Sequence, residues 1–165
     1  MNFIIGNAFM LLAATIMVSL GFVKDKNKII IFQTIQIMLL AIGDLLLGSI
    51  PGFVISIFAC IRNILTYFNK LTKPVKVILI ILCSSVSLYF NNIGIFGILP
   101  VIVSVVYICF IDTKDICKYK LLEIFSNGVW FAHDFYIKGY IMAVFDVLSV
   151  TSNAITFVRL KFKKK

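Results

Sequence analysis

The 165-residue chain is 61% hydrophobic and only 14% charged, with a mean hydropathy of +1.07. A soluble domain carries about 25% charged residues, so these residues cannot supply a water-facing surface. The net charge of +9 comes from short basic clusters between apolar runs, which marks the loops of a multi-pass membrane protein and excludes a nucleic-acid-binding face.

A helix that crosses the hydrocarbon core takes about 20 apolar residues. Seven segments meet that requirement, so an all-α membrane protein of seven transmembrane helices is expected. The first, 3–23, has no basic stretch before it and is too long for a signal-peptide core, so it should remain as a span. Lys-Asp-Lys-Asn-Lys at 24–28 leads into the second, 29–47, and the turn Gly-Ser-Ile-Pro-Gly at 48–52 into the third, 50–69. A basic stretch at 69–76 precedes the fourth, 75–91, and Asn-Asn-Ile-Gly at 91–94 opens the fifth, 94–112. The loop 112–120 precedes the sixth, 119–137, and Lys138-Gly139 the seventh, 139–160. Residues 161–165 form a basic tail. The loops are too short for a soluble domain, which leaves a single transmembrane domain over 1–165.

Loop charges orient the spans. The first, third and fifth loops carry Lys24, Lys26, Lys28, Lys70, Lys73, Lys76, Lys114, Lys118 and Lys120, and the tail carries Lys161, Lys163, Lys164 and Lys165. The even loops carry only Lys138. Basic loops stay in the cytoplasm, so the N-terminus is expected outside and the C-terminus inside a bacterial inner membrane. Cys60, Cys83, Cys109 and Cys117 form no Cys-x-x-Cys pair and read as small buried hydrophobes rather than disulfide or zinc ligands. No metal site, cofactor or enzyme activity is expected. Ser84, Ser85 and His133 lack the Gly-x-Ser-Gly surroundings of an intramembrane serine protease.

An offset of 90 residues aligns the first three segments with the last three. Lys24, Asp25 and Lys28 fall on Lys114, Asp115 and Lys118; Asp44 falls on Asp134, Asn63 on Asn153 and Thr66 on Thr156. Most of these matches are polar residues, which are scarce in lipid. The spacing predicts a 3+1+3 parallel repeat: repeat 1 over 1–70, a linker helix over 75–91 and repeat 2 over 94–160. Parallel repeats are a transporter architecture.

Segment seven places Asp146, Ser149, Asn153 and Thr156 on one helical face, and segment three places Ser56, Ala59, Asn63 and Thr66 likewise. Segment six adds Asn127, Trp130 and Asp134, and segment five Gly97, Pro100 and Ser104. Such stripes either hydrogen-bond between helices, at about 0.6 kcal/mol per contact, or line a hydrated cavity. The cavity reading is favoured, with Asn63, Asn153, Trp130, Asp146 and Ser149 as substrate-binding candidates. Asp44 and Asp134 are expected at a water-reaching outer mouth. Asp146 lies deeper, by about 10 Å at 1.5 Å per residue, and an intramembrane pair with Arg62 is expected. His133, the only histidine, is expected to make a structural hydrogen bond at the membrane surface rather than to relay protons.

Four runs carry a family resemblance: Ala59-Cys60-Ile61-Arg62-Asn63-Ile64-Leu65, Leu99-Pro100-Val101-Ile102, Val129-Trp130-Phe131-Ala132-His133-Asp134-Phe135, and Asn153-Ala154-Ile155-Thr156-Phe157-Val158-Arg159. Through them the whole chain resembles the YgjV-type bacterial inner membrane proteins, a family similar to the SWEET and PQ-loop (MtN3-like) transporters. The resemblance implies a parallel-repeat bundle with a central solute route. In SWEET transporters an asparagine in each of helices three and seven faces the sugar, with a tryptophan or small polar residue from helices two and six. Asn63, Asn153 and Trp130 match by helix and type. Prolines serve that group as hinges, which implies such a role for Pro100. The expected function is therefore a facilitator of a small polar solute, a sugar being one such, working by alternating access. The alternative is a non-transporting membrane partner or sensor on the same bundle. The expected partners are the lipid bilayer and the solute, with room for a homo-oligomer.

Overall fold

The computed structural model describes residues 2–162, with side chains from residue 4 onward; Lys163, Lys164 and Lys165 of the basic tail lie outside the described residues. Seven α-helices follow one another: α1 (Asn2–Gly21), α2 (Lys26–Leu47), α3 (Ile50–Tyr67), α4 (Lys73–Tyr89), α5 (Ile98–Phe110), α6 (Ile116–Tyr136) and α7 (Tyr140–Phe162). They agree with the hydropathy segments to within a few residues, with two instructive exceptions. The fifth segment opens as a separate 3-10 turn, Gly94–Gly97, because Gly94 sits at φ +62° and the Asn91 side chain bonds both Ile93 N and Gly94 O. The sixth helix starts three residues earlier than its apolar stretch, because Asp115 caps it.

Four helices are long and apolar enough to cross a membrane: Ile4–Gly21 within α1, then α2, α3 and α7. α4 and α5 are shorter, at 17 and 13 residues. α6 has the length, but its 21 residues include Lys118, Lys120, Glu123 and Asp134.

The helix ends show why these boundaries form. Asp25 and Asp115 are N-caps with nearly identical backbone, φ −84° and ψ 112° against φ −83° and ψ 112°. Each carboxylate accepts from amides in the first turn of its helix, satisfying donors that no carbonyl reaches. At the opposite ends, Gly48 (φ 82°) and Lys138 (φ 63°) occupy the left-handed region. There Ser49 N donates to Asp44 O at 2.9 Å and Gly139 N to Asp134 O at 2.8 Å, which closes the C-terminal carbonyls. These paired features are each 90 residues apart.

Six helices pack as a closed ring in the order α1, α2, α3, α5, α6, α7 and back to α1, while α4 packs outside against α3 and α5. The ring is apolar outside and polar inside. Ile35, Met38, Ile81, Phe110 and Val144 are exposed, whereas Gln33, Arg62, Asn63, Glu123, His133, Asp134 and Asp146 are buried. Lipid solvates the first set and offers the second no hydrogen bond. At the end that carries the basic loops, two lysines tie distant helices together. Lys26 Nζ at the start of α2 donates to Thr113 O beyond α5 at 2.7 Å. Lys120 Nζ in α6 donates to Leu20 O and Gly21 O, the last carbonyls of α1, at 3.0 Å each.

The ring closes between α1 and α7 at a glycine. A Cβ on Gly21 would lie 1.8 Å from Ser152 Oγ, so any side chain there forces the two helices apart. Gly21→Ala is expected to cost about 1–3 kcal/mol by overpacking and to lower the Tm in detergent. Ser152→Gly in the same chain should restore most of the loss. Unchanged melting of the single variant would show that this contact does not hold the ring.

Candidate functional site

Inside the ring lies a cavity of about 80 Å³, walled by all six ring helices and by nothing from α4. α2 presents residues 33, 36, 37, 40 and 44 to it, and α6 presents 123, 126, 127, 130 and 134. Steps of three and four keep each set on one helical face. Every α2 position has its α6 counterpart 90 residues later.

The layer nearest the basic loops is built around Glu123, the chain's single glutamate. Oε1 accepts from the Tyr107 hydroxyl and from Gln33 Nε2, the latter at 3.1 Å. Gln33 Nε2 also reaches the Tyr107 oxygen at 2.8 Å, while Gln33 Oε1 accepts from the Tyr119 hydroxyl at 3.1 Å and from Asn63 Nδ2 at 3.4 Å. Asn63 Oδ1 in turn accepts from Arg62 Nε at 3.1 Å and Nη2 at 2.8 Å. The guanidinium lies 4.3 Å over the Tyr107 ring, a cation–π contact strengthened by burial.

This geometry corrects the expected Arg62–Asp146 ion pair, which is not formed. Among the described residues Arg62 has no carboxylate within 4.0 Å. Both side chains do line the cavity. Arg62 turns instead to its own neighbour Asn63 and to the aromatic face of Tyr107, which together hold the cation without an ion-pair contact.

Toward the opposite end three carboxyl groups gather: Asp44 on α2, Asp134 on α6 and Asp146 on α7, at 3%, 4% and 1% exposure. Asp44 and Asp134 therefore do not form a water-reaching mouth. The polar pair Ser49 and His133 packs around them instead. His133 is fully buried, with Nδ1 2.9 Å from Asp134 Oδ1 and Nε2 3.4 Å from Ser49 Oγ. It makes the expected structural contact, but inside the bundle rather than at the surface. A Cβ on Gly52 would stand 2.9 Å from the Asp44 carboxyl, so only glycine leaves that group its place. Asp44 is within hydrogen-bond reach of Ser56, and Asp146 of Asp134. Among the described residues no N–H or O–H reaches Asp146 Oδ2.

Of the five substrate-binding candidates, Trp130 and Asp146 line the cavity, and Asn63, Asn153 and Ser149 stand behind its wall. Asn153 Nδ2 donates to Ser149 O at 2.9 Å and to Ser149 Oγ at 3.3 Å, and Asn127 Nδ2 donates to the same hydroxyl at 2.8 Å. Pro100 falls in the first turn of α5, directly after the 3-10 turn. A proline there removes no helical hydrogen bond and makes no interior kink. Gln33, Gln36, Tyr107, Tyr119 and Glu123 were not anticipated. Gln33 and Glu123 are 90 residues apart, but differ in type, so a search for identities passes over them.

A family model described as bacterial inner membrane protein, Imp-YgjV, matches residues 4–164. No curated protein matches, and no solved structure does.

The Glu123 layer makes a coupling that can be measured. Tyr107→Phe and Glu123→Gln should each cost about 1–3 kcal/mol by stranding buried partners. The double variant should lose less than the sum, by about 0.5 kcal/mol or more, in denaturant or thermal titrations of detergent-solubilised protein. Simple additivity would mean that the two side chains are not coupled.

Proposed function

We propose that this chain, which belongs to the YgjV family of bacterial inner membrane proteins, passes a small polar solute across that membrane by opening its cavity alternately to either side. The observation that carries the reading is the cavity wall itself. Its α2 and α6 positions pair one for one at a 90-residue offset, and one such pair, Gln33 and Glu123, is in direct contact. Residues related by a two-fold axis touch only beside that axis, so a parallel repeat puts the cavity on the axis between two three-helix halves. The capping and turn geometry described above supports the same 3+1+3 division, with α4 as the linker. So do the ring contacts, since α1 on α7 corresponds to α5 on α3.

In this arrangement all seven helices cross. The charges that lower the apolarity of α6 are compatible with crossing, because Lys120, Glu123 and Asp134 face the interior. The lysine-rich loops lie in the cytoplasm, with the N-terminus outside. A SWEET-like mode of action is part of the proposal: Trp130 and Asp146 meet the solute, Asn63 holds the wall residues Gln33 and Arg62, and Asn153 braces Ser149 behind the wall. Ser126 adds a buried hydroxyl on the wall with no partner of its own.

Purified protein in proteoliposomes should take up one of a panel of sugars, amino acids, amines or nucleosides saturably. Ser126→Ala, which breaks no internal hydrogen bond, should raise the KM by about tenfold without moving the Tm. Uptake no faster than in empty liposomes for the whole panel would reject a transport role. Independently, a C-terminal reporter active only in the cytoplasm should report, and the same reporter at the N-terminus should be silent. The reverse pattern would overturn the orientation.

A further inference from the structure

Resting on the transport reading above, we propose that Asp44, Asp134 and Asp146 form the subsite for the ammonium group of a small solute. The three carboxyls come from three different helices, are almost wholly buried, and all line the same cavity. The protein supplies them with little of what buried carboxylates need. Asp44 has Ser56, and Asp134 has His133, whose other ring nitrogen is turned to Ser49. Asp146 Oδ2 has no donor among the described residues, although it is fully buried. Its close neighbour Asp134 is another acid, and two carboxyls hydrogen-bond each other only with a proton or a third group between them.

No countercharge answers this cluster from the cavity wall. Among the described residues Arg62 is the only lysine or arginine that lines the cavity, and its electrostatic neighbours are Tyr107, Tyr119, Glu123 and Cys83 rather than the aspartates. A buried charge is stable only when paired. Without a partner a buried carboxyl takes up a proton instead, and an ammonium group that arrives with the ligand supplies the partner that the wall does not.

The geometry also discriminates among cations. Among the described residues no three acidic, histidine or cysteine side chains converge as a metal site, and a hard metal ion needs oxygens at about 2.0–2.6 Å. An ammonium group donates three hydrogen bonds in separate directions, at about 2.7–2.9 Å each, and suits carboxyls that surround a space without converging. The Trp130 ring on the same wall offers an aromatic face to the cation or to the carbon that bears it. A cavity of about 80 Å³ suits a solute of few heavy atoms, such as ethanolamine or alanine.

Trp130 is the only tryptophan in the chain, so its fluorescence reads the cavity directly. Titration of the full-length protein in detergent with ethanolamine and with L-alanine should give saturable changes in emission. Ethylene glycol, neutral and of similar size, should give none at the same concentrations. Response to ethanolamine alone identifies a simple amine, and response to alanine alone an amino acid; both outcomes support an ammonium subsite. Asp146→Asn keeps the shape and removes the charge, and should weaken the responding ligand by about tenfold or more while the Tm is maintained. If that variant does not fold, Asp44→Asn is read the same way. Binding of ethylene glycol or a sugar with no response to either ammonium compound overturns the subsite while leaving a transport role intact. Ammonium binding unchanged in folded Asp146→Asn overturns it as well. Failure of the whole uptake panel, by contrast, removes the transport reading on which the subsite rests.

Discussion

Lipid gives a polar group no hydrogen-bond partner, and almost everything inside this bundle follows from that constraint. Apolar surface does not drive the helices together, because the acyl chains are as apolar as leucine. What the ring gains by closing is partners for Gln33, Arg62, Asn63, Tyr107, Tyr119 and Glu123. These groups come from four helices, and each bond spans a helix boundary or fixes a side chain that does. The network therefore specifies which helices are neighbours as well as stabilising their contact.

The two layers of the cavity use the constraint in opposite ways. Around Glu123 the polar side chains bond one another, and even the cation is held by an amide oxygen and an aromatic face. Around Asp146 it leaves one carboxyl oxygen unserved. A structural polar core and a binding site can look alike in composition; they differ in whether their hydrogen bonds are completed internally.

Hydropathy and loop charge made the helices legible, because lipid solvation acts on every exposed side chain and so writes itself along the whole chain. The 90-residue offset was legible where both positions carry the same residue, as at Asp25 and Asp115. It was hidden where the two positions differ in type, as at Gln33 and Glu123, which meet as donor and acceptor in one contact. Side-chain direction was the other blind spot. Stripe logic put Asn63 and Asn153 on the inner face correctly, but could not tell the cavity wall from the layer behind it. Nor could depth alone decide that Arg62 would turn toward Tyr107 instead of Asp146, or that His133 and Asp134 would be covered rather than wet.

The lysine contacts at the basic end have a mechanical consequence. Lys26 and Lys120 each reach an element that is not next in the ring, α2 to the loop after α5 and α6 to the close of α1. The Lys120 ammonium sits where α1 ends in carbonyls that carry partial negative charge. Parting the helices at that end has to undo both together, at about 1.5–3 kcal/mol for each charge-assisted bond. Lys120 is only 1% exposed, so salt in the surrounding water screens its grip weakly. The bundle thus carries a double latch on one end, made of charge-assisted bonds rather than of apolar packing.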